Sequence, residues 1–109
     1  MNEEALNLVF GALSDPTRRA ILKRLQSGPA TVLELAEPFT MSLPAVSKHL
    51  KILEAAGLIQ KGKDAQRRPC HLRVETVRLV ADWVEDYRGL WEGNVSYLGG
   101  LLRGLELHE

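Results

Sequence analysis

The sequence predicts one mainly helical domain with a small β-hairpin, about five helices and two strands within 109 residues. Three observations predict this class. Apolar residues recur at three- and four-residue steps through most of the chain, which is the period of an amphipathic helix. Capping residues and helix breakers divide these stretches into short helices. Strand-like residues flank a polar loop at a single place, between residues 58 and 74.

The first two helices are predicted from an apolar stripe and a capping pair. Residues 3–13 form the first helix, and its stripe is Leu6, Val9, Phe10 and Leu13. Asp15 is the predicted N-cap of the second helix, and Pro16 occupies its first turn, where its missing N–H is tolerated. The second helix is expected to bury Ala20, Ile21, Leu22 and Leu25 and to end at residues 27–29.

A helix-turn-helix is predicted between residues 31 and 57. Its first helix is short, because Thr31 and Glu34 form a capping box and Pro38 stops the helix soon afterwards. Residues 39–41 then make a tight connection to the second helix. Two helices joined by a brief turn, the second of them basic, are typical of this motif.

The helix that follows Ser42 is predicted to have two different faces. Ser42 is a suitable N-cap, and Gly57 lies where a left-handed residue ends a helix. One face is the apolar stripe Leu43, Val46, Leu50 and Leu53. The opposite face is small or basic and consists of Pro44, Ala45, Lys48 and Lys51. Such a face suits a phosphate-lined groove, although a surface helix with two lysines has the same pattern.

Residues 58–74 are predicted to form two short strands around a basic loop, the wing of a winged helix-turn-helix. Pro69 cannot donate to a strand ladder and is expected on an outward-facing edge. The basic residues of the loop are Lys61, Lys63, Arg67 and Arg68. A solvated loop with a basic tip is the alternative interpretation.

Charge is unevenly distributed in a chain whose formal net charge is zero. Residues 42–73 contain seven lysines and arginines against two aspartates and glutamates, whereas residues 74–109 contain three against seven. The positive charge therefore falls on the helix that follows Ser42, which we call the reading helix, and on the wing. Such polarity can orient a protein on nucleic acid.

The C-terminal third is predicted to be a long amphipathic helix, residues 75–104, with a heptad-like seam. The apolar surface is more than a small domain can cover, so it is expected to meet a second copy of the chain, together with the stripe of helix 3–13. Folding back on its own domain is the alternative. The predicted dimer contacts are Leu6, Val9, Phe10, Val80, Trp83, Val84, Tyr87, Trp91 and Leu98.

Three stretches of the chain resemble a known family. They are residues 15–22, residues 33–36, and residues 45–59, which hold a Ser-x-His-Leu-x-x-Leu core followed by Gly-Leu-Ile. In this combination the chain resembles the ArsR/SmtB family of bacterial repressors, over residues 5 to 75. The resemblance implies a homodimeric winged helix-turn-helix that binds a palindromic operator on double-stranded DNA and usually represses its own operon.

The dimer would place two reading helices about 34 Å apart, in successive major grooves. Ser42 is expected to contact phosphate, Pro44 and Ala45 to touch thymine methyl groups, and Lys51 to meet phosphate. Residues expected to bond base edges or phosphate are Ser47, Lys48 and His49, and those of the wing that reach the backbone or minor groove are Lys63, Arg67 and Arg68. His49 has an equal alternative as a hydrogen-bonded residue at the helix margin. Arg18 and Arg19 are expected to pair with Asp15 or another acidic neighbour, and contact of one of them with phosphate is the alternative.

No cofactor and no metal are expected. Many members of the family bind metal through cysteines before the reading helix or through Asp and His on the C-terminal helix, and neither set is present here. Cys70 and His71 are adjacent on a predicted strand, so their side chains point to opposite faces. The single cysteine is expected to be a spectator thiol in a reducing cytoplasm, and its oxidation or pairing with another molecule is the alternative. The inducer cannot be inferred from the residues.

The sequence favours a DNA-binding regulator, and two alternatives stay open. One is a winged-helix protein-interaction module, which needs no basic wing and would expose apolar residues on the reading face, where Ile52 lies. The other is a MarR-type regulator that responds to a small molecule. No nucleotide-binding or hydrolase motif occurs, so no enzyme is expected. No membrane partner and a cytoplasmic location are expected, since the acidic start and short apolar runs match neither a signal peptide nor a span.

Overall fold

The computed structural model describes residues 2–62 and 69–90. The described part contains five helices and a two-stranded hairpin, which confirms the predicted fold class. The helices are α1 Glu3–Leu13, α2 Pro16–Leu25, α3 Val32–Ala36, α4 Leu43–Ala55 and α5 Val74–Glu85, and the strands are β1 Ile59–Lys61 and β2 Cys70–Leu72. The chain divides into two compact units, Met1–Val77 and Arg78–Glu109.

Side-chain caps begin α2, α3 and α4 at the predicted residues. Asp15 Oδ2 accepts the Arg18 N–H at 3.1 Å, and Ser42 Oγ accepts the Ala45 N–H at 3.3 Å. A cap of this kind satisfies one of the backbone donors that the first helical turn leaves without a partner. The helix boundaries are therefore set by local sequence.

The capping box of α3 is also present. Thr31 Oγ1 accepts the Glu34 N–H at 3.2 Å, and Glu34 Oε1 accepts the Thr31 N–H at 3.1 Å. The Thr31 hydroxyl also donates to Glu34 Oε1 at 3.0 Å, and the bonds of the carboxylate with the Thr31 N–H and hydroxyl, together with the charge of nearby Arg24, hold the pKa of Glu34 below its usual value. The helix has only five residues, so its termini decide whether it forms.

Gly57 ends α4 in a left-handed conformation, with φ of +75°. Its N–H donates to the Glu54 carbonyl at 2.9 Å, and the Leu58 N–H donates to the Leu53 carbonyl at 3.0 Å. These two bonds form a Schellman motif, which turns the chain directly from α4 into β1. Leu53 and Leu58 are both buried, as the hydrophobic contact of this motif requires.

The core is built around α4, which contacts α1, α2, α3 and β1. Val46, Leu50 and Leu53 of α4 are each 0% exposed. Burying one such side chain stabilises the fold by about 1.5–3 kcal/mol. Other buried residues from around α4 are Val9, Ala12, Ile21, Leu25, Ala30, Leu35, Leu58, Ile59 and Cys70. Ala20, which was expected in this core, is exposed on α2 instead.

The hairpin is antiparallel, with Ile59 opposite Leu72 and Lys61 opposite Cys70. A further bridge, which the sequence analysis did not foresee, joins Cys70 to Ala30: the Cys70 N–H donates to the Ala30 carbonyl at 2.7 Å, and the reverse bond is 3.0 Å. Pro69 lies just before β2, so its missing N–H removes no hydrogen bond from the strand ladder. The hairpin is thus tied to the segment that precedes α3.

The predicted C-terminal helix 75–104 is not continuous: α5 ends at Glu85 and residues 86–87 form a turn, while residues 91–104 lie outside the described part. None of the residues of α5 is buried. In the second unit, the rings of Trp83 and Tyr87 lie 4.8 Å apart, and Arg88 pairs with Glu85 at 2.8 Å. Among the described helices, none is long and apolar enough to cross a membrane.

Replacing Gly57 by alanine is expected to lower the free energy of unfolding by about 1–2 kcal/mol, because a Cβ disfavours the left-handed conformation. The new Cβ would lie 3.4 Å from Thr76 Oγ1, an ordinary van der Waals contact, so the loss comes from the backbone conformation. Urea unfolding measures the change. The matched control is Gly11→Ala in α1, where a Cβ meets no atom within 4 Å. The control should raise stability by about 0.5–1 kcal/mol, and equal losses in both variants would contradict this account.

Asp15→Asn is expected to reduce the sensitivity of the fold to acid. The Arg18 N–H, with the charges of His49 and Arg18 nearby, lowers the pKa of Asp15 from its ordinary value of 3.8. The resulting stabilisation is complete above the unfolded-state pKa and is lost as pH falls through the lower folded-state pKa. Asparagine keeps the cap without this titration. Chemical unfolding between about pH 5 and about pH 2 should show a smaller loss in the variant, and identical pH profiles would contradict the prediction.

Candidate nucleic-acid interface

The outer face of α4 carries the predicted contact residues. We define the reading face as Ser42, Pro44, Ala45, Ser47, Lys48 and Lys51. Pro44, Lys48 and Lys51 are exposed, whereas Ala45 and Ser47 are half-buried. Because Val46 and Leu50 point into the core, the helical period directs Lys48 and Lys51 outward. The face therefore offers two cations and small side chains beside a helix N-terminus.

The first residue of α4 departs from the prediction. Leu43 was expected in the buried stripe, but it is 45% exposed. Leu43 lies one turn before Val46, the first buried residue of the helix, so the stripe continues past the edge of the core. Ile52 is also exposed, at 37%. Ile52 lies on the side of Ala45 and Lys48 and accompanies the reading face, whereas Leu43 belongs to the opposite, apolar side of α4.

His49 is only partly exposed and is held by a residue of α2. Its Nδ1 atom lies 3.1 Å from Nη1 of Arg18 and 3.8 Å from Oδ2 of Asp15. The first distance is a hydrogen bond, and the second is too long for one. His49 is therefore hydrogen-bonded at the helix margin through its Nδ1 atom, as the alternative interpretation expected.

Arg18 and Arg19 hydrogen-bond the end of α1, whereas they were expected to pair with Asp15 or another acid; the N–H and the charge of Arg18 still help to lower the pKa of Asp15. Arg18 donates through Nε to the Ala12 carbonyl at 2.8 Å, and Arg19 donates through Nη1 to the Leu13 carbonyl at 2.8 Å. The last carbonyls of a helix have no intrahelical partner and carry partial negative charge, so they attract arginine. The sequence signal that could have indicated these bonds is the Asp-Pro-x-Arg-Arg stretch directly after α1.

The wing is described only at its base. Lys61 is half-buried at the end of β1, and Lys63, Arg67 and Arg68 lie outside the described residues. The carbonyl of Pro69 accepts the Gly62 N–H at 2.8 Å, which closes the ladder at that end. The predicted contacts of the wing tip with DNA therefore stay predictions.

Cys70 and His71 occupy opposite faces of β2, as predicted. Cys70 is fully buried, whereas His71 is half-buried. Burial raises the pKa of the Cys70 thiol, and this outweighs the opposing effect of Lys61. A buried thiol with a raised pKa is a poor nucleophile at neutral pH. Within residues 2–62 and 69–90, no three His, Cys, Asp or Glu side chains are grouped as a metal site would require.

The predicted dimer residues differ in exposure. Val9 is buried in the core of the first unit, so the structure removes it from any surface that a second copy could meet. Phe10, Trp83 and Tyr87 are exposed, and Leu6, Val80 and Val84 are half-buried. Trp91 and Leu98 lie outside the described part. The contact with a second copy stays a prediction.

Comparison with known proteins matches this arrangement to a family. A model of helix-turn-helix domains matches residues 13–61. The transcriptional repressor SdpR of Bacillus subtilis is 46% identical to this chain over 82 residues, which cover 75% of this chain and 91% of SdpR. The match includes the helix-turn-helix, so the relationship extends through the candidate interface.

Solved structures show the same relationship. The chain is similar to the crystal structure of an ArsR family transcriptional regulator, with 47% identity and a TM-score of 0.76, over 84% of this chain and 95% of the other. It is also similar to the homodimeric winged helix-turn-helix DNA-binding domain of a possible ArsR-family regulator from Mycobacterium bovis, with 25% identity and a TM-score of 0.64, over 78% of this chain and 82% of that one. With the capped reading helix, the hairpin and these relatives in agreement, the chain belongs to the ArsR/SmtB family of winged helix-turn-helix transcriptional regulators.

Proposed function

We propose that this protein is a homodimeric, sequence-specific DNA-binding repressor that recognises a palindromic operator. The observation that carries the proposal is the two-sided α4, with Val46, Leu50 and Leu53 fully buried and Lys48 and Lys51 exposed. A helix fixed this firmly in a core can present its outer side chains to a major groove in one orientation. The similarity to SdpR, a transcriptional repressor, supports the same direction of regulation.

Each residue of the reading face has a proposed role. Lys48 and Lys51 neutralise phosphates, which supplies salt-dependent affinity. Ser42 contacts a phosphate at the N-terminus of α4, where backbone N–H groups favour an anion. Ala45 and Pro44 let the helix approach the bases and touch thymine methyl groups. Residues proposed to bond base edges or phosphates are Ser47, Lys48 and His49.

The wing tip is proposed to add contacts outside the major groove. In the sequence, Lys63, Arg67 and Arg68 come between β1 and β2. Basic residues on a wing can reach the backbone or an adjacent minor groove. These contacts would position the protein without selecting a base sequence.

Dimerisation is proposed through α1 and the C-terminal helix. The homodimeric Mycobacterium bovis domain supports this assembly. Within the described residues, α5 buries none of its side chains, and its apolar residues include the exposed Trp83. The proposed contacts are Leu6, Phe10, Val80, Trp83, Val84, Tyr87, Trp91 and Leu98. A two-fold axis would match the symmetry of a palindromic operator.

A protein-interaction module is the second candidate, and one observation favours it. Ile52 is 37% exposed on the side of α4 that would read DNA. An exposed apolar side chain at this position suits a protein surface as well as thymine methyl groups. The two candidates differ in their response to salt, because counterion release from DNA makes affinity fall steeply as salt rises.

Fluorescence anisotropy tests the function directly. The purified chain is titrated against the intergenic duplex upstream of its own gene and against a scrambled duplex, across a salt series. Selective binding that weakens with salt is expected. Weak and equal binding to the two duplexes would contradict recognition of its own operator and would favour a partner other than that DNA.

Lys48→Gln and Lys51→Gln are expected to weaken DNA binding, and each lost phosphate contact should reduce the salt slope by about one. The matched control is Lys23→Gln, which removes the same charge from the exposed surface of α2. Anisotropy at several salt concentrations gives both quantities. If the control weakened binding as much as the other two, the DNA-binding face would be misassigned.

Tyr87→Glu is expected to raise the dimer dissociation constant by at least about tenfold, because an unpaired charge in an apolar interface is costly. Sedimentation velocity over a dilution series measures this constant. Leu33→Glu is the control, since Leu33 is an exposed leucine of α3 outside the proposed dimer residues. A Tyr87→Glu variant that dimerised as tightly as the control would exclude this interface.

A further inference from the structure

One guanidinium group connects three elements of the first unit. Arg18, in the first turn of α2, donates through Nε to the Ala12 carbonyl at 2.8 Å and through Nη2 to the Gly11 carbonyl at 3.2 Å. Its Nη1 atom lies 3.1 Å from Nδ1 of His49 on α4. The last turn of α1 and the reading helix are therefore held by the same side chain.

The chemistry of arginine decides which atom of this last pair donates. A guanidinium has five N–H donors and no acceptor, and it stays charged in proteins. The Arg18 N–H must therefore donate, and His49 Nδ1 must accept through its lone pair. In a neutral imidazole the proton then lies on Nε2. The nearest carboxylate oxygen, Asp15 Oδ2, lies 3.8 Å from Nδ1 and does not replace Arg18 as a partner.

We propose that Arg18 is a positioning residue for DNA binding, which holds the His49 ring so that Nε2–H donates to a DNA phosphate oxygen. This inference rests on the proposed function. The His49 side chain is 21% exposed and follows Lys48 on α4. In the opposite tautomer, Nε2 would be a bare acceptor that a phosphate repels. Arg18 thus selects the form of His49 that an anion can bind.

Arg19 provides a matched control within the same turn of α2. It also bonds a terminal carbonyl of α1, that of Leu13 at 2.8 Å. The hydrogen bond to His49, however, comes from Arg18. A role confined to the end of α1 would make the two arginines equivalent, whereas the proposed role makes Arg18 alone affect His49.

The tautomer can be measured in the free protein, without DNA. Two-bond ¹H–¹⁵N correlation spectra distinguish the nitrogens of each neutral histidine at about pH 8. The chain has three histidines, and His49→Gln identifies the signals of His49. The Nε2–H pattern is expected in the wild type and in Arg19→Lys. A wild-type Nδ1–H pattern would overturn the proposal.

The effect on DNA is measured by anisotropy with Arg18→Lys, Arg19→Lys and His49→Gln, at a temperature where circular dichroism shows each variant folded. Glutamine places an amide donor near the position of Nε2 and has no tautomer to select. Arg18→Lys is expected to weaken DNA binding about three- to tenfold in the wild-type background and less than about twofold beside His49→Gln. Arg19→Lys should have little effect in either background.

The outcomes separate this inference from the proposed function. A wild-type protein without selective, salt-dependent DNA binding would refute the proposed function and, with it, the role of His49 on DNA. Normal wild-type binding that Arg18→Lys weakens equally in both backgrounds would refute the inference alone. Equal losses of DNA affinity from Arg18→Lys and Arg19→Lys would also refute the inference alone. They would show that Arg18, like Arg19, acts only by bonding the end of α1.

Discussion

The complete burial of one side of α4 is the constraint on which the rest of the structure depends. Val46, Leu50 and Leu53 are closed off from solvent by α1, α2, α3 and β1, so the helix cannot rotate without exposing them. Fixing one side of a helix also fixes the other. The outward direction of Lys48 and Lys51 is thus a consequence of core packing, and the candidate interface is formed before any DNA is present.

Features that depend on local sequence could be predicted. The caps at Asp15, Thr31 and Ser42 each need one side chain and the N–H of a residue three positions on, so their spacing is visible in the sequence. Gly57 was predicted for the same reason, because a left-handed residue at the end of a helix favours glycine. The reading face followed from helical periodicity once those boundaries were set.

Features that depend on long-range contacts could not be predicted from the sequence. The hydrogen bond of Arg18 to His49 joins residues that periodicity does not relate, and the bridge between Ala30 and Cys70 is a single pair without a repeating pattern. Leu43 shows the complementary limit. Periodicity assigned it to the apolar side of α4. A residue on that side is buried only if a neighbouring element extends far enough to cover it.

The central claim is that the exposed side of α4 binds DNA, and amide chemical-shift mapping tests it most directly. A ¹⁵N-labelled sample is titrated with the duplex that the protein selects, and the shift changes are followed along the chain. The largest changes should fall on residues 42–52, with smaller ones at the base of the wing in β1 and β2. Changes confined to α2 and α3, with those of α4 left unaltered, would contradict the account.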